Sequence, residues 1–263
     1  MNESTASNPP TGKVTGRQMP ARFVCMGLFG LALAAAAGFT IHEFAATEGP
    51  KIFTDTQSYQ DTATYPVFSR KFWFGIREPI SNSRPPVYPL FIATFKHKLN
   101  TVARRQAATS ILCWSLAAVA VFTATRRKTT GLLGALAVLI LGCSPDVLGM
   151  LKVILTESLS FSLVAAAFGA TLLYLNGLKQ RWLWLATLLW ILYALIRDSN
   201  AYFVLLIGLS TGVAASLAFW KKTLSRRHGV SLAICAALMF GSFVLSNFTS
   251  THGERWVFPL YNN

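Results

Sequence analysis

Long apolar runs dominate the chain, and short polar stretches separate them. Seven such runs stand out, at 23–44, 109–124, 131–148, 153–175, 182–196, 202–220 and 230–248. A helix needs about 20 apolar residues to cross the hydrocarbon core of a bilayer, so the pattern predicts an all-α, polytopic bundle of about seven transmembrane spans. The run at 182–196 is the shortest, with ends that fall among interfacial residues. The first run follows Arg17 and Arg22 and ends in His42-Glu43-Phe44 rather than in a small-residue cleavage site. That reads as an uncleaved anchor, not a signal peptide. The implied organisation is a disordered N-terminus at 1–21, a transmembrane domain at 22–248 with an outer loop at 45–108, and an outer tail at 249–263.

Composition agrees with this pattern. Of the 263 residues, 53% are hydrophobic and 13% charged, against about a quarter charged in soluble domains. The net charge of +14 would fit nucleic acid if it lay on one polar domain. Instead the basic residues fall in small clusters between apolar runs, which excludes nucleic acid as the natural partner and makes them topology determinants. Cys25, Cys113, Cys143 and Cys235 all lie inside apolar runs with no CxxC pair, so neither a disulfide framework nor a zinc site is expected.

The basic clusters orient the spans. With the N-terminus in the cytoplasm, Arg126, Arg127, Lys128, Lys179, Arg181, Lys221, Lys222, Arg226 and Arg227 are cytoplasmic, and only Lys152 and Arg197 lie in short outer loops. This follows the positive-inside rule. Nine of the ten acids (Glu43, Glu48, Asp55, Asp61, Glu78, Asp146, Glu157, Asp198 and Glu254) then lie on or near the outer face, which is where any chemistry is expected. The outer loop is too aromatic for a flexible linker and too poor in apolar periodicity for a soluble core. Its segment Tyr65-Pro-Val-Phe-Ser-Arg-Lys-Phe-Trp-Phe-Gly has the composition of an interfacial stretch. The segment from Pro85-Pro86 to Leu99 opens on a proline-fixed turn and enters an apolar stretch too short to span, as an interfacial or re-entrant helix would.

A further pattern lies in the order of short motifs: an Asp soon after the first span in FTDTQSY (Asp55, Tyr59), then SRPPVYPLFIA (Arg84 to Ala93), then LTESLSFSL at the start of the fourth span (Thr156, Glu157), then LIRDSNAY after the fifth (Arg197). In this order and spacing the chain resembles the N-terminal half of GT-C-type membrane glycosyltransferases. These depend on polyprenyl-phosphate sugars and include the protein O-mannosyltransferases and the aminoarabinose transferase of lipid A. The resemblance spans roughly 23–263. It implies a GT-C-like fold and inverting transfer of a sugar from a lipid-linked phosphosugar donor to a lipid, glycan or protein acceptor. The place would be the outer side of a bacterial-type inner membrane. It also implies a longer chain, with THGERWVFPLYNN as an unfinished outer segment.

The residues suit that chemistry. Asp55 is the candidate general base for the acceptor hydroxyl, an effect worth about 10²–10⁴-fold; by position it matches the acid that holds this role in the family. Relatives often carry a second acid directly afterwards, where this chain has Thr56. The bland alternative for Asp55 is capping of a short helix. Glu157, the second catalytic candidate, is an ionisable group at a span end, costly there unless it faces a cavity or partner. Arg84, aimed by the two prolines that follow it, and Arg197 are candidate ligands of the leaving phosphate. Lipid headgroups are the alternative for both, and Asp198 is a further one for Arg197. Tyr59, Tyr88 and Asp61 complete the substrate-binding set, with Tyr88 equally suited to an interfacial ring. A divalent cation is compatible with a carboxylate beside phosphate, but no clustered ligand set is visible and no cofactor is assigned. A transporter or flippase, or an inert membrane assembly protein, are the competing readings; transporters usually place ionisable groups near the midplane, whereas here they fall at span ends. Reporter fusions test the orientation: a fusion after Lys128 or Gln180 reads as cytoplasmic and one after Asp61 as external, and the opposite pattern contradicts it.

Overall fold

The computed structural model describes residues 18–46, 49–69, 85–95, 98–221 and 225–251. Arg84 and most of the aromatic stretch after Tyr65 lie outside the described residues. Ten helices form among those described: α1 (Gln18–Ala46), α2 (Thr54–Thr64), α3 (Val87–Thr94), α4 (Leu99–Ala124), α5 (Lys128–Gly142), α6 (Pro145–Met150), α7 (Thr156–Gly177), α8 (Gln180–Ala194), α9 (Asp198–Lys221) and α10 (Arg226–Thr251). No strand forms among them, only an isolated parallel bridge between Lys51 and Val153. Five helices, α1, α4, α7, α9 and α10, are long and apolar enough to cross a membrane, which makes this an integral membrane protein. Backbone polar groups find no water in hydrocarbon, so apolar runs of this length satisfy them internally as helices.

Two expected runs take a different form. The run at 131–148 is not one helix: α5 stops at Gly142 after 15 residues, and the short α6 starts at Pro145. Ser144 takes extended dihedrals, because proline lacks an N–H and disfavours helical geometry in the residue before it. In the other direction, α4 starts at Leu99, ten residues before the expected start of the second span, so the outer loop at 45–108 gives up its last ten residues to helix. Polar Asn100, Arg104, Arg105 and Gln106 sit within this extension. Hydropathy hides them from a span search, while good helix formers among them extend the helix at its N-terminal end.

The long elements alternate in direction. Phe29 of α1 stacks on Phe122 of α4 at 4.4 Å, while the far end of α1 brings Thr40 Oγ1 to 3.8 Å from Cys143 Sγ. In α4 and α5, Phe122 meets Gly131 and Trp114 meets Gly142, so they are antiparallel. Gln106 reaches the Val153 carbonyl and Ala117 meets Gly169, so α4 and α7 are parallel and the chain returns between them through α5 and α6. Likewise Trp190 Nε1 donates to Thr171 Oγ1 at 3.3 Å and Asn200 Nδ2 to Ser160 Oγ at 3.0 Å; α8 therefore runs back along α7, and α9 follows α7 in parallel. Antiparallel α9 and α10 meet through Gly208 against Met239 and through Phe219 against Gly229.

This alternation sorts the charge. Arg126, Arg127, Lys128, Lys179, Arg181, Lys221, Arg226 and Arg227 lie at one end of the bundle. All six described acids, Glu43, Asp55, Asp61, Asp146, Glu157 and Asp198, lie at the other. At the basic end α7 terminates on Leu178, held at φ 48°, whose carbonyl accepts a hydrogen bond from His228 Nε2 at 2.8 Å.

The α4/α7 contact is a small-residue seam. A Cβ on Gly169 would stand 2.8 Å from Ala117 Cα, and Ala166, Ala167 and Ala170 beside it are buried. Without a hydrophobic drive between helices in lipid, such close approach supplies the packing. Gly169→Leu should therefore cost about 1–3 kcal/mol, the usual range for overpacking, read as a lowered unfolding temperature in detergent. Gly38→Leu on α1, where a Cβ meets nothing within 4 Å, should leave that temperature nearly unchanged.

Candidate functional site

The acidic end is built by docking the segment after α1 onto the start of α7. Lys51 N–H donates to the Lys152 carbonyl at 2.9 Å, and Ile154 N–H donates to the Lys51 carbonyl at 3.2 Å. Helix α2 follows at once. Fully buried Thr56 accepts from the Phe53 N–H at 3.0 Å and donates to the Ile154 carbonyl at 3.0 Å. Thr56 thus closes the helix start and pins it to the bundle. This gives a physical reason for a threonine at this position: a carboxylate could not donate to that carbonyl. Asp55 lies within the first turn with its side chain exposed, and the N-cap position is held by Phe53.

Thr56, Tyr59 and Ala63 form the buried stripe of α2, spaced as one helical face. Tyr59 meets Tyr88 of α3 edge-on, ring centroids 5.1 Å apart. Helix α3 is fixed in turn by the Val87 N–H donating to the Leu195 carbonyl at 3.2 Å. Tyr88 is fully buried, and its hydroxyl donates to Gln106 Oε1 at 2.7 Å. Burial first, then the neighbouring Tyr59 and Glu157, hold that hydroxyl well above the ordinary tyrosine range; it stays a neutral donor. The Gln106 amide donates to the Val153 carbonyl at 3.0 Å and more weakly to that of Leu151 at 3.4 Å.

Glu157 occupies the first turn of α7, and Arg197 the turn between α8 and α9. Arg197 Nη1 donates to Glu157 Oε1 at 2.6 Å, the arginine side chain 48% exposed and the glutamate 27%. Thr156 Oγ1 donates to the other carboxylate oxygen at 3.3 Å. Arg197 therefore pairs with a residue 40 positions away, not with the adjacent Asp198. A guanidinium has five N–H donors, so one short bond to Glu157 leaves others for a ligand. Asn200 steadies the same turn, donating to Ser160 Oγ at 3.0 Å and to the Tyr193 carbonyl at 3.1 Å.

Four expected site residues, Tyr59, Tyr88, Glu157 and Arg197, thus meet at one end of the bundle, and Asp55 stands one helical turn from Tyr59. Asp61 lies exposed two residues beyond that turn, on a different face from Asp55, and joins none of these contacts. Tyr88 turned out to be a buried support rather than an exposed contact. Gln106, Thr56 and Asn200 were missed. Gln106 shares a face with Val102, Ser110 and Cys113, all buried, so extending the helical pattern upstream of residue 109 would have exposed it. Among the described residues no three of His, Cys, Asp or Glu come together as a metal site. Chemically, the end offers an exposed carboxylate and a fixed, half-exposed guanidinium with spare donors.

Compared with known proteins, the chain matches no family model and no curated protein.

Gln106→Leu leaves the Tyr88 hydroxyl and the Val153 carbonyl without partners, at a cost of about 1–3 kcal/mol for each buried orphan. Adding Tyr88→Phe should recover part of that loss, because it removes one orphan. Unfolding in detergent measures both, and strictly additive losses would contradict the described knot.

Proposed function

We propose that the protein is a GT-C-type integral-membrane glycosyltransferase. In this reading it has seven crossings, a cytoplasmic N-terminus, and a site on the outer face of a bacterial-type inner membrane. Its donor is a polyprenyl-phosphate sugar and its acceptor a lipid, glycan or protein. The observation that carries the reading is that two pairs distant in sequence, Tyr59 with Tyr88 and Glu157 with Arg197, form at the end of the bundle where Asp55 also lies. The alternation of helix direction supports seven crossings, since α5 and α8, each of 15 residues, return the chain between parallel neighbours. A crossing of this length is accommodated by local thinning or by interfacial ends.

The chemistry follows from the groups present. The Asp55 carboxylate takes the proton of the acceptor hydroxyl as that oxygen bonds to the anomeric carbon from the face opposite the phosphate. The bond from the anomeric carbon to the phosphate oxygen breaks, its electron pair leaving with the polyprenyl phosphate, and the configuration inverts. Arg197 stabilises the charge developing on that phosphate. Glu157 acts through Arg197, holding its guanidinium in place, and is in this reading a positioning residue. Exposure of Asp55 and of the outward side of Arg197 suits substrates that arrive along the membrane surface.

Asp55→Asn keeps shape and removes the base. In membranes carrying the protein, transfer from a labelled polyprenyl-phosphate sugar should fall by about 10²–10⁴-fold, with the amount of inserted protein unchanged. Undiminished turnover would overturn the assignment.

A further inference from the structure

The acidic end carries a second charged feature that the transfer reading does not use. At the start of α4, Lys98, Arg104 and Arg105 are all exposed, and among the described residues none has an acidic partner. Lys98 and Arg105 are seven residues apart, two turns along one side of the helix, and Arg104 lies next to Arg105. The Arg105 guanidinium stands 5.7 Å from the centre of the Phe95 ring. Phe95 meets Phe91 edge-on at 5.1 Å, and Phe91 stacks on Tyr88 at 6.3 Å, so an aromatic ladder fixes the patch to the buried knot.

The same face becomes apolar further along: exposed Ala108 follows Arg104 by one turn, and Leu112, 70% exposed, follows by two. Seven residues of helix separate Arg105 from Leu112, about 10 Å at 1.5 Å per residue. The headgroup layer on each side of a bilayer is roughly 5–8 Å deep. With Leu112 in hydrocarbon, the two arginines therefore sit at the depth of lipid phosphates. Arg197 at the same end is paired with Glu157, whereas these three cations have no acidic partner among the described residues.

We propose that Lys98, Arg104 and Arg105 form a headgroup site for an anionic phospholipid, with its acyl chains lying along Ala108 and Leu112. A lipid rather than a soluble anion is the occupant because the cations continue directly into a lipid-facing apolar surface. The inference does not rest on the transferase reading.

The test uses the full chain in nanodiscs of phosphatidylcholine with a minority of photoactivatable phosphatidylglycerol, and mass spectrometry to map the crosslinks. The wild type should concentrate crosslinks at the first turns of α4. Each cation near an anionic surface contributes about fivefold, so R104S/R105S should weaken labelling there about 25-fold, whereas R104K/R105K should keep most of it. Undiminished labelling in R104S/R105S overturns the proposal, as does equal loss in R104K/R105K, which preserves the charge. Displacement by millimolar soluble glycerol phosphate would identify a free-phosphate site and overturn the lipid assignment.

Discussion

The acidic end of the molecule depends on one buried amide. Gln106 lies on a buried helix face with Val102, Ser110 and Cys113, where an unsatisfied polar atom is expensive. Its carbonyl takes the Tyr88 hydroxyl, and its amino group takes the carbonyl of Val153, which precedes α7. One side chain thereby joins three pieces of backbone: the short helix α3, the long helix α4, and the irregular segment that follows Pro145. That segment has carbonyls to offer because α6 ends at Met150 and helix resumes only at Thr156. In a lipid-facing protein, non-helical backbone is tolerated where other protein groups satisfy it, and Gln106 and Thr56 do so here from opposite sides.

With the Val153–Ile154 segment held, the neighbouring groups fall into place. Thr56 docks on Ile154 and brings α2 down, which seats Tyr59 against Tyr88. Two residues beyond Ile154, α7 opens and presents Glu157 to the α8–α9 turn, where Arg197 meets it. Val87 ties α3 to that same turn through the Leu195 carbonyl. The helices supply the positions by packing small residues closely, as at Gly169 and Ala117; the polar groups supply the register. Two kinds of force, dispersion along the spans and hydrogen bonds at the end, divide the work by depth.

Much of this was legible in the pattern of residues. Apolar length located the long helices, and the basic clusters are gathered at one end of the bundle with the described acids at the other. Hydropathy could not see that α4 begins as early as Leu99 and runs through Asn100, Arg104, Arg105 and Gln106, because polar residues form helix as readily as apolar ones. Nor could it see the break at Ser144, which is a matter of proline geometry inside an apolar run. Glu157 and Arg197 were each identifiable as ionisable groups at span ends. Their pairing was not, since it depends on how α7, α8 and α9 pack side by side. Thr56 was noticed only as the absence of an acid, and its bond to Ile154 explains its presence.

In the proposed transferase, paired Glu157 and Arg197 act as one unit, the glutamate fixing the arginine. Transfer rates of Glu157→Gln, Arg197→Gln and the double variant test this most directly, because residues in contact deviate from additivity. The double variant should be no slower than Arg197→Gln alone, the glutamate having nothing left to hold. Losses that multiply, each substitution reducing the rate by the same factor whether or not the other is present, would contradict it.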